Sequence, residues 1–72
     1  MIYVIGLGFV GLTTAVGLSH KGQKIVGIDS NSKIIKDLQK KKIHFHEPHL
    51  KYYLSKVLKK KSLKLKNKLE FY

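Results

Sequence analysis

A glycine string between two short apolar runs constrains the fold more than any other feature of this chain. The first run covers residues 2–5, the string G-x-G-x-x-G covers residues 6–11, and the second run, residues 24–28, ends on Asp29. Continuous apolar runs of this kind are typical of strands buried on both faces, and glycines at this spacing open a helix directly after a strand. The pattern predicts a β-α-β unit whose second strand carries an acid at its tip.

Each glycine in the string has a separate task at a bound dinucleotide. Gly6 lets the chain turn sharply, Gly8 lets the backbone approach a pyrophosphate, and Gly11 lets the helix pack closely on the strand. The helix that begins near Phe9 presents its backbone N–H groups and positive dipole end to the phosphates. Ordinary turns also contain such strings, but the flanking strand, helix and acid together favour nucleotide binding.

The acid at the end of the second run indicates which cofactor is bound. Asp29 follows Gly11 by 18 residues, close to the separation of about 20 at which a ribose-binding acid occurs. Its carboxylate can accept hydrogen bonds from a ribose 2′-OH and would repel a 2′-phosphate, and the chain has no Arg to hold such a phosphate. We therefore predict NAD rather than NADP.

The uncharged stretch 1–19 also permits a membrane or secretory interpretation. No basic segment precedes it, and three glycines in six residues would weaken a spanning helix. The stretch also falls just short of the roughly 20 residues that a span needs. We favour the strand and helix interpretation and expect a cytoplasmic protein that makes no membrane contact.

The charge distribution raises an alternative from a different functional class. The 72 residues include 15 Lys and Arg against four Asp and Glu, giving a net charge of +11, and all but two of the lysines follow residue 32. A basic segment of this kind is compatible with a small nucleic-acid-binding module. Every such residue is Lys, however, whereas bidentate recognition of bases and phosphates generally uses Arg. We expect no specific nucleic-acid partner.

The first two helices can be placed from their apolar patterns and end signals. The first, from about Phe9 to His20, is apolar on nearly all sides, which predicts a buried helix, and Gly22 stands where its C-terminal cap belongs. Ser30 or Asn31 is expected to cap a second helix. The apolar face of that helix consists of Ile34, Ile35 and Leu38.

A third helix and a third strand complete the predicted order. Pro48 occupies the first turn of the helix, whose apolar stripe has helical spacing and consists of Leu50, Tyr53, Leu54, Val57 and Leu58. Alternation within 63–65 and 69–71 predicts strand. The fold class is therefore α/β: a β-α-β-α-α-β string, residues 1–72, that forms strands 3-2-1 of a Rossmann doubly wound parallel sheet. Strand 1 should be central in that sheet, so we expect a truncated domain that opens a larger protein.

Residues 4–12, V-I-G-L-G-F-V-G-L, resemble the N-terminus of the UDP-glucose/GDP-mannose dehydrogenase family. These nucleotide-sugar 6-dehydrogenases typically begin V-I-G-L-G-Y-V-G-L-P, so Phe9 replaces a Tyr and Thr13 a Pro. Residues 26–29 match the family's V-x-G-x-D, and residues 47–50 match its E-P-x-L. The stretch 43–48 is most similar to I-H-I-x-E-P of UDP-N-acetylmannosamine dehydrogenases, and 69–71 fall where the family has its third strand.

The resemblance implies NAD-dependent oxidation of a UDP- or GDP-sugar C6 alcohol to a uronate, by a full-length enzyme that is homo-oligomeric. The implied cofactor residues are Gly6, Gly8, Phe9, Val10, Gly11 and Asp29. Lys33 is added for the adenosine ribose, because the family often has a Lys at the next position, here Ile34. The family's catalytic Cys lies far beyond residue 72, and this chain has no Cys. We therefore assign no catalytic residue and expect the chain alone to be inactive. Another NAD-dependent Rossmann dehydrogenase is the alternative.

Three histidines and an acid within six residues raise the question of a metal site. His44, His46, His49 and Glu47 are residue types that bind zinc. Their spacing matches no standard closed zinc site, and the resemblance already accounts for the Glu-Pro loop. We therefore predict no metal.

Overall fold

Strands and helices follow one another in the predicted order along a computed structural model that describes residues 1–45 and 47–68. The elements are β1 (Ile2–Ile5), α1 (Phe9–His20), β2 (Ile25–Asp29), α2 (Ser32–Gln39), α3 (Pro48–Lys59) and β3 (Leu63–Asn67). The α/β class is confirmed. The predicted strand at 69–71 lies outside the described residues.

The three strands form one parallel sheet in the order β1-β2-β3, as predicted. Ile5 is the register partner of Ile28, and Asp29 is the partner of Asn67. Strand β2 lies between its neighbours and is buried at every residue except Asp29, which is half-buried. The sheet register therefore brings the tips of all three strands to one edge, where the glycine string begins.

Strand β1 lies at the edge of the sheet among the described residues, whereas the sequence predicts a central position. Its side chains are accordingly exposed, Tyr3 by about half and Ile5 by 73%. A strand buried on both sides needs a pairing partner on each side, and the described residues supply one only on the β2 side.

The helices pack together over one set of alternating strand residues. Ile25, Leu63 and Leu65 point into this core, and the helices contribute residues that are almost completely buried: Leu12, Ala15, Val16, Ile35, Leu38, Leu54 and Val57. The predicted apolar face of α2 is confirmed, with Ile34 half-buried beside it. Among the described residues, none of the three helices combines the length and apolarity needed to span a membrane.

All three helices end in the same way, with a residue in the left-handed region. Gly22 (φ +102°), Lys41 (φ +65°) and Lys61 (φ +61°) follow α1, α2 and α3. The next N–H donates back to a carbonyl in the last turn, as from Ser62 to Val57 at 3.1 Å, which is the Schellman arrangement. At the start of α2, Asn31 rather than Ser30 is the cap, because its side chain accepts two backbone hydrogen bonds.

Besides residues of β1, two helix side chains that the apolar patterns predict to be buried are exposed. Val10, in the first turn of α1, is 74% exposed because this turn projects at the open edge of the sheet. Tyr53, in the predicted stripe of α3, is 39% exposed. Its ring lies 4.7 Å from that of His20, at the rim of a groove between α1 and α3, where Gly17 has no side chain to fill the space.

Candidate functional site

The glycine turn connects β1 to α1 through a backbone shape that depends on Gly6. The φ of Gly6 is +89°, a conformation that residues with a Cβ rarely adopt. Its N–H donates to the carbonyl of Ile28 at 2.8 Å, which continues the β1–β2 ladder into the turn. The turn therefore starts at the sheet edge where β2 also ends.

Gly11 lies in the first turns of α1, directly over this backbone. A Cβ added at Gly11 would overlap the carbonyl oxygen of Gly6 and stand 3.0 Å from its carbonyl carbon. Any side chain would therefore push the helix away from the glycine turn. The close helix–strand packing predicted for this glycine is present.

Gly8 stands where the glycine turn leads into the N-terminus of α1. It is the N-cap of α1, no side chain caps this helix, and its first turn contains no acidic residue. A Cβ added at Gly8 would meet no atom within 4 Å, so the space beside it is open. The N-terminal end of a helix offers unpaired N–H groups and a partial positive charge, and this end of α1 therefore fits a pyrophosphate.

Asp29 joins the tip of β2 to the glycine turn. One carboxylate oxygen accepts the N–H of Leu7 at 2.8 Å, and the other accepts the N–H of Asn31 at 2.8 Å. A carboxylate has about four acceptor positions, so two remain for the hydroxyls of a ribose. The acid therefore holds the turn in place and can still bind the sugar, which fits the predicted adenosine site.

Phe9 and Val10 stand at the open edge beside Gly8. Phe9 is 57% exposed, and its ring centroid lies 5.2 Å from that of Phe45. Phe45 in turn contacts the ring of His44 at 4.9 Å. The loop between α2 and α3 thus reaches back to the start of α1, a contact that the linear sequence did not reveal.

Lys33, assigned to the adenosine ribose by resemblance, is engaged elsewhere in this structure. Its ammonium lies 3.0 Å from the Asp37 carboxylate, one turn further along α2. The hydrogen bond from Lys33, together with the positive charge of nearby lysines, holds the pKa of Asp37 below its usual range. Lys33 itself is 82% exposed, so its side chain is free to reorient around the helix.

The described residues considered for a metal site lie away from the glycine turn, in and near the loop before α3. Glu47 immediately precedes α3 and lines the groove between α1 and α3, together with His49. Within residues 1–45 and 47–68, no group of three or more potential metal ligands comes together. His46, one of the histidines considered for a metal site, lies outside the described residues.

Asn67 is a site residue that the sequence analysis missed. It is the register partner of Asp29 and is nearly buried, and its side-chain N–H donates to the Ser30 carbonyl at 3.3 Å. This bond fixes the loop that follows β2. The available signal was a polar residue at the third inward position of an otherwise apolar alternating strand.

The part of the chain that contains the glycine turn and Asp29 is similar to a domain of known proteins. The NAD-binding domain of the UDP-glucose/GDP-mannose dehydrogenase family matches residues 1–71. The chain belongs to this family. The predicted family is therefore confirmed, and the predicted cofactor agrees with the matched domain, which is the NAD-binding domain of that family.

Individual family members are similar to this chain over almost its whole length. The UDP-N-acetyl-D-mannosamine dehydrogenase of Pyrococcus horikoshii is 36% identical over 69 residues, which are 96% of this chain and 16% of that protein. The solved UDP-D-ManNAc dehydrogenase structure from the same organism superposes with a TM-score of 0.90 at 36% identity, covering 97% of this chain and 17% of that one.

A UDP-glucose dehydrogenase from Pyrobaculum islandicum superposes with a TM-score of 0.86 at 35% identity, over 90% of this chain and 15% of that one. The present chain therefore spans about one sixth of the length of its dehydrogenase relatives. Family relatives thus include enzymes named for different nucleotide sugars.

Proposed function

We propose that this chain supplies the adenosine and pyrophosphate half of an NAD site in a nucleotide-sugar 6-dehydrogenase. Residues 1–72 would form the first half of the Rossmann domain, strands 1–3. The observation that carries the proposal is the Asp29 carboxylate, which binds the glycine turn and keeps two acceptor positions at the same edge as the α1 N-terminus. In NAD the adenosine ribose is linked directly to the pyrophosphate, so a ribose site next to a pyrophosphate site matches this cofactor.

The roles of the proposed residues follow from their positions. Gly6 and Gly11 shape the turn, and Gly8 leaves the space for the pyrophosphate. The backbone N–H groups of Phe9 and Val10, in the first turn of α1, bind phosphate oxygens. The ribose hydroxyls bind the remaining acceptor positions of Asp29, with Lys33 beside them. NAD supplies the hydride acceptor of the reaction when it is bound.

For the full-length protein, the proposal is oxidation of a UDP- or GDP-sugar C6 alcohol to a uronate. This chain has no Cys, the residue that the family uses as nucleophile, so we propose that the 72 residues alone do not turn over a nucleotide sugar. The family resemblance implies a homo-oligomeric full-length protein, which belongs to the same proposal. A cytoplasmic location without membrane contact and the lack of a specific nucleic-acid partner also belong to it; they rest on the glycine-interrupted stretch 1–19 and on the use of Lys without Arg.

Calorimetric titration with NAD tests the cofactor role. We expect the chain to bind NAD and Gly8→Ala to weaken binding by about tenfold or more, equivalent to about 1.4 kcal/mol, because the new methyl group occupies the pyrophosphate side. Gly17→Ala is the matched control, since its Cβ also meets open space but lies away from the turn. It should leave the affinity unchanged.

Two outcomes would contradict the proposal. One is equal NAD affinity in Gly8→Ala and Gly17→Ala, with both variants folded by circular dichroism. The other is binding of a DNA duplex, but not NAD, that survives Asp29→Ala, which would favour the nucleic-acid module instead. Formation of NADH from any UDP-sugar by the isolated chain would contradict its proposed inactivity.

A further inference from the structure

A cleft of about 200 Å³ opens beside Asp29 at the carboxyl edge of the sheet. It lies on the side of β2 to which Ile28 belongs, next to the first glycine of the turn. Its lining combines an apolar floor with one acid and one base: Ile5, Gly6, Ile28, Asp29, Ser30 and Lys68. An adenosine ribose held by Asp29 would therefore have a lysine as its neighbour.

The sheet register explains why this lysine is beside the acid. Asp29 and Asn67 are partners across β2 and β3, and Lys68 is the next residue along the chain. The side-chain N–H of Asn67 also donates to the Ser30 carbonyl at 3.3 Å, which connects the end of β3 to the loop after β2 that lines the cleft. Lys68 therefore reaches the cleft from a neighbouring strand end and not from the helix that follows Asp29.

The charges in the cleft bear on the discrimination between NAD and NADP. Asp29 alone would repel a 2′-phosphate, whereas a lysine ammonium is an effective point-charge partner for phosphate. Lys33 is held by Asp37 one turn along α2. Within the described part of the chain, the structure records no ion pair for Lys68. Among the described residues that line the cleft, Lys68 therefore supplies the positive charge.

We propose that Lys68 is a specificity-determining residue that partly offsets Asp29 and lets the site accept a 2′-phosphorylated ribose as well as NAD. The inference rests on the proposed NAD-binding function and concerns the same site. NAD stays the preferred cofactor, because the Asp29 carboxylate binds ribose hydroxyls directly. The positive charge of Lys68 in the same cleft reduces the difference in affinity between NAD and NADP.

The experiment compares NAD and NADP affinities, by calorimetric titration, in the chain and two charge-removing variants. Lys68→Gln should weaken NADP binding about tenfold through loss of one charge-assisted contact. NAD binding should change by less than about threefold, or roughly 0.7 kcal/mol. The ratio of the two affinities therefore moves toward NAD.

Lys64→Gln is the matched control, because Lys64 is an exposed lysine of β3, four residues before Lys68. At about 3.3 Å per residue it is roughly 13 Å from Lys68, beyond the Debye length of about 8 Å at physiological ionic strength. It should leave the ratio unchanged. An unmoved ratio in Lys68→Gln, or an equal shift in Lys64→Gln, would overturn the inference while leaving NAD binding intact. A parent chain that binds neither dinucleotide would instead overturn the proposed function, and this inference with it.

Discussion

The N–H of Leu7 donates to the Asp29 carboxylate at 2.8 Å, across 22 residues of sequence. The second carboxylate oxygen accepts the N–H of Asn31. One side chain thereby orders the glycine turn after β1 and the loop after β2 before any ligand arrives. Pre-ordering of this kind lowers the entropic cost of binding, so Asp29 contributes to the fold and to the site together.

Asp29→Asn should therefore lower stability as well as NAD affinity. The amide keeps one acceptor oxygen and places an NH₂ against the other backbone N–H, so one hydrogen bond of the pair is lost. We expect the free energy of unfolding to fall by about 1–3 kcal/mol, measured by urea denaturation. Asp37→Asn, on the exposed part of α2, is the control and should have a much smaller effect. Equal stabilities of the two variants would exclude the structural role of Asp29.

Gly11 and Gly17, on the same helix, should respond to alanine with opposite signs. The Cβ at Gly11 would overlap the Gly6 carbonyl, whereas the Cβ at Gly17 meets nothing. Gly11→Ala should cost about 2 kcal/mol or more, because rigid backbone has to move. Gly17→Ala should gain about 0.5–1 kcal/mol from helix propensity. Thermal unfolding measures both, and a stabilised Gly11→Ala variant would contradict the observed packing of α1 on the turn.

The glycine turn and the element order were predictable because residue type alone encodes them. A positive φ at Gly6 and the overlap at Gly11 exclude side chains, so the glycines reveal the turn directly. Helices were recognisable in the same way, from an apolar period together with Pro48 or a cap. These requirements concern residues that are close in sequence, so a single sequence is sufficient to predict the turn and the helices.

The contacts between elements were not predictable, because they depend on register. Nothing in the sequence pairs Asn67 with the Ser30 carbonyl, or Leu7 with Asp29. An apolar pattern likewise states which residues can be buried but not what covers them, so Val10 and Tyr53 were predicted buried and are exposed. The position of Lys68 in the cleft beside Asp29 likewise depends on the β2–β3 register.

The end of α3 offers a stabilising substitution. Lys61 has a φ of +61°, a left-handed conformation that costs a side-chain-bearing residue about 1–2 kcal/mol. Lys61→Gly relieves this strain but adds backbone entropy to the unfolded chain, so we expect a net gain of about 0.5–1 kcal/mol. Lys60→Gly removes the same charge at a residue with helical backbone and should be destabilising. Chemical denaturation measures the free energy of unfolding of both variants. If both are stabilised or both are destabilised, the effect comes from the lost charge and not from backbone strain.

The Lys33–Asp37 pair can report whether Lys33 contacts the ribose. Lys33 lowers the pKa of Asp37 in the folded chain. The pair therefore stabilises the fold above the ordinary pKa of Asp37, and this contribution is lost as pH falls through the lowered value. Lys33→Gln should raise the pKa of Asp37 toward its usual range, as followed by carboxyl NMR. Lys36→Gln, which removes a neighbouring positive charge but leaves the hydrogen bond from Lys33 to Asp37, is the control.

Saturating NAD then provides the decisive comparison in the unsubstituted chain. If Lys33 turns from Asp37 to the adenosine ribose, the pKa of Asp37 should rise on NAD binding, as it does in Lys33→Gln without ligand. In the Lys33→Gln variant itself, NAD should leave the pKa of Asp37 unchanged, because the lysine that could leave is already absent. If the pKa of Asp37 stays low in the NAD-bound chain, Lys33 still pairs with Asp37 and does not contact the cofactor. The proposed roles of Gly8 and Asp29 would be unaffected by that result.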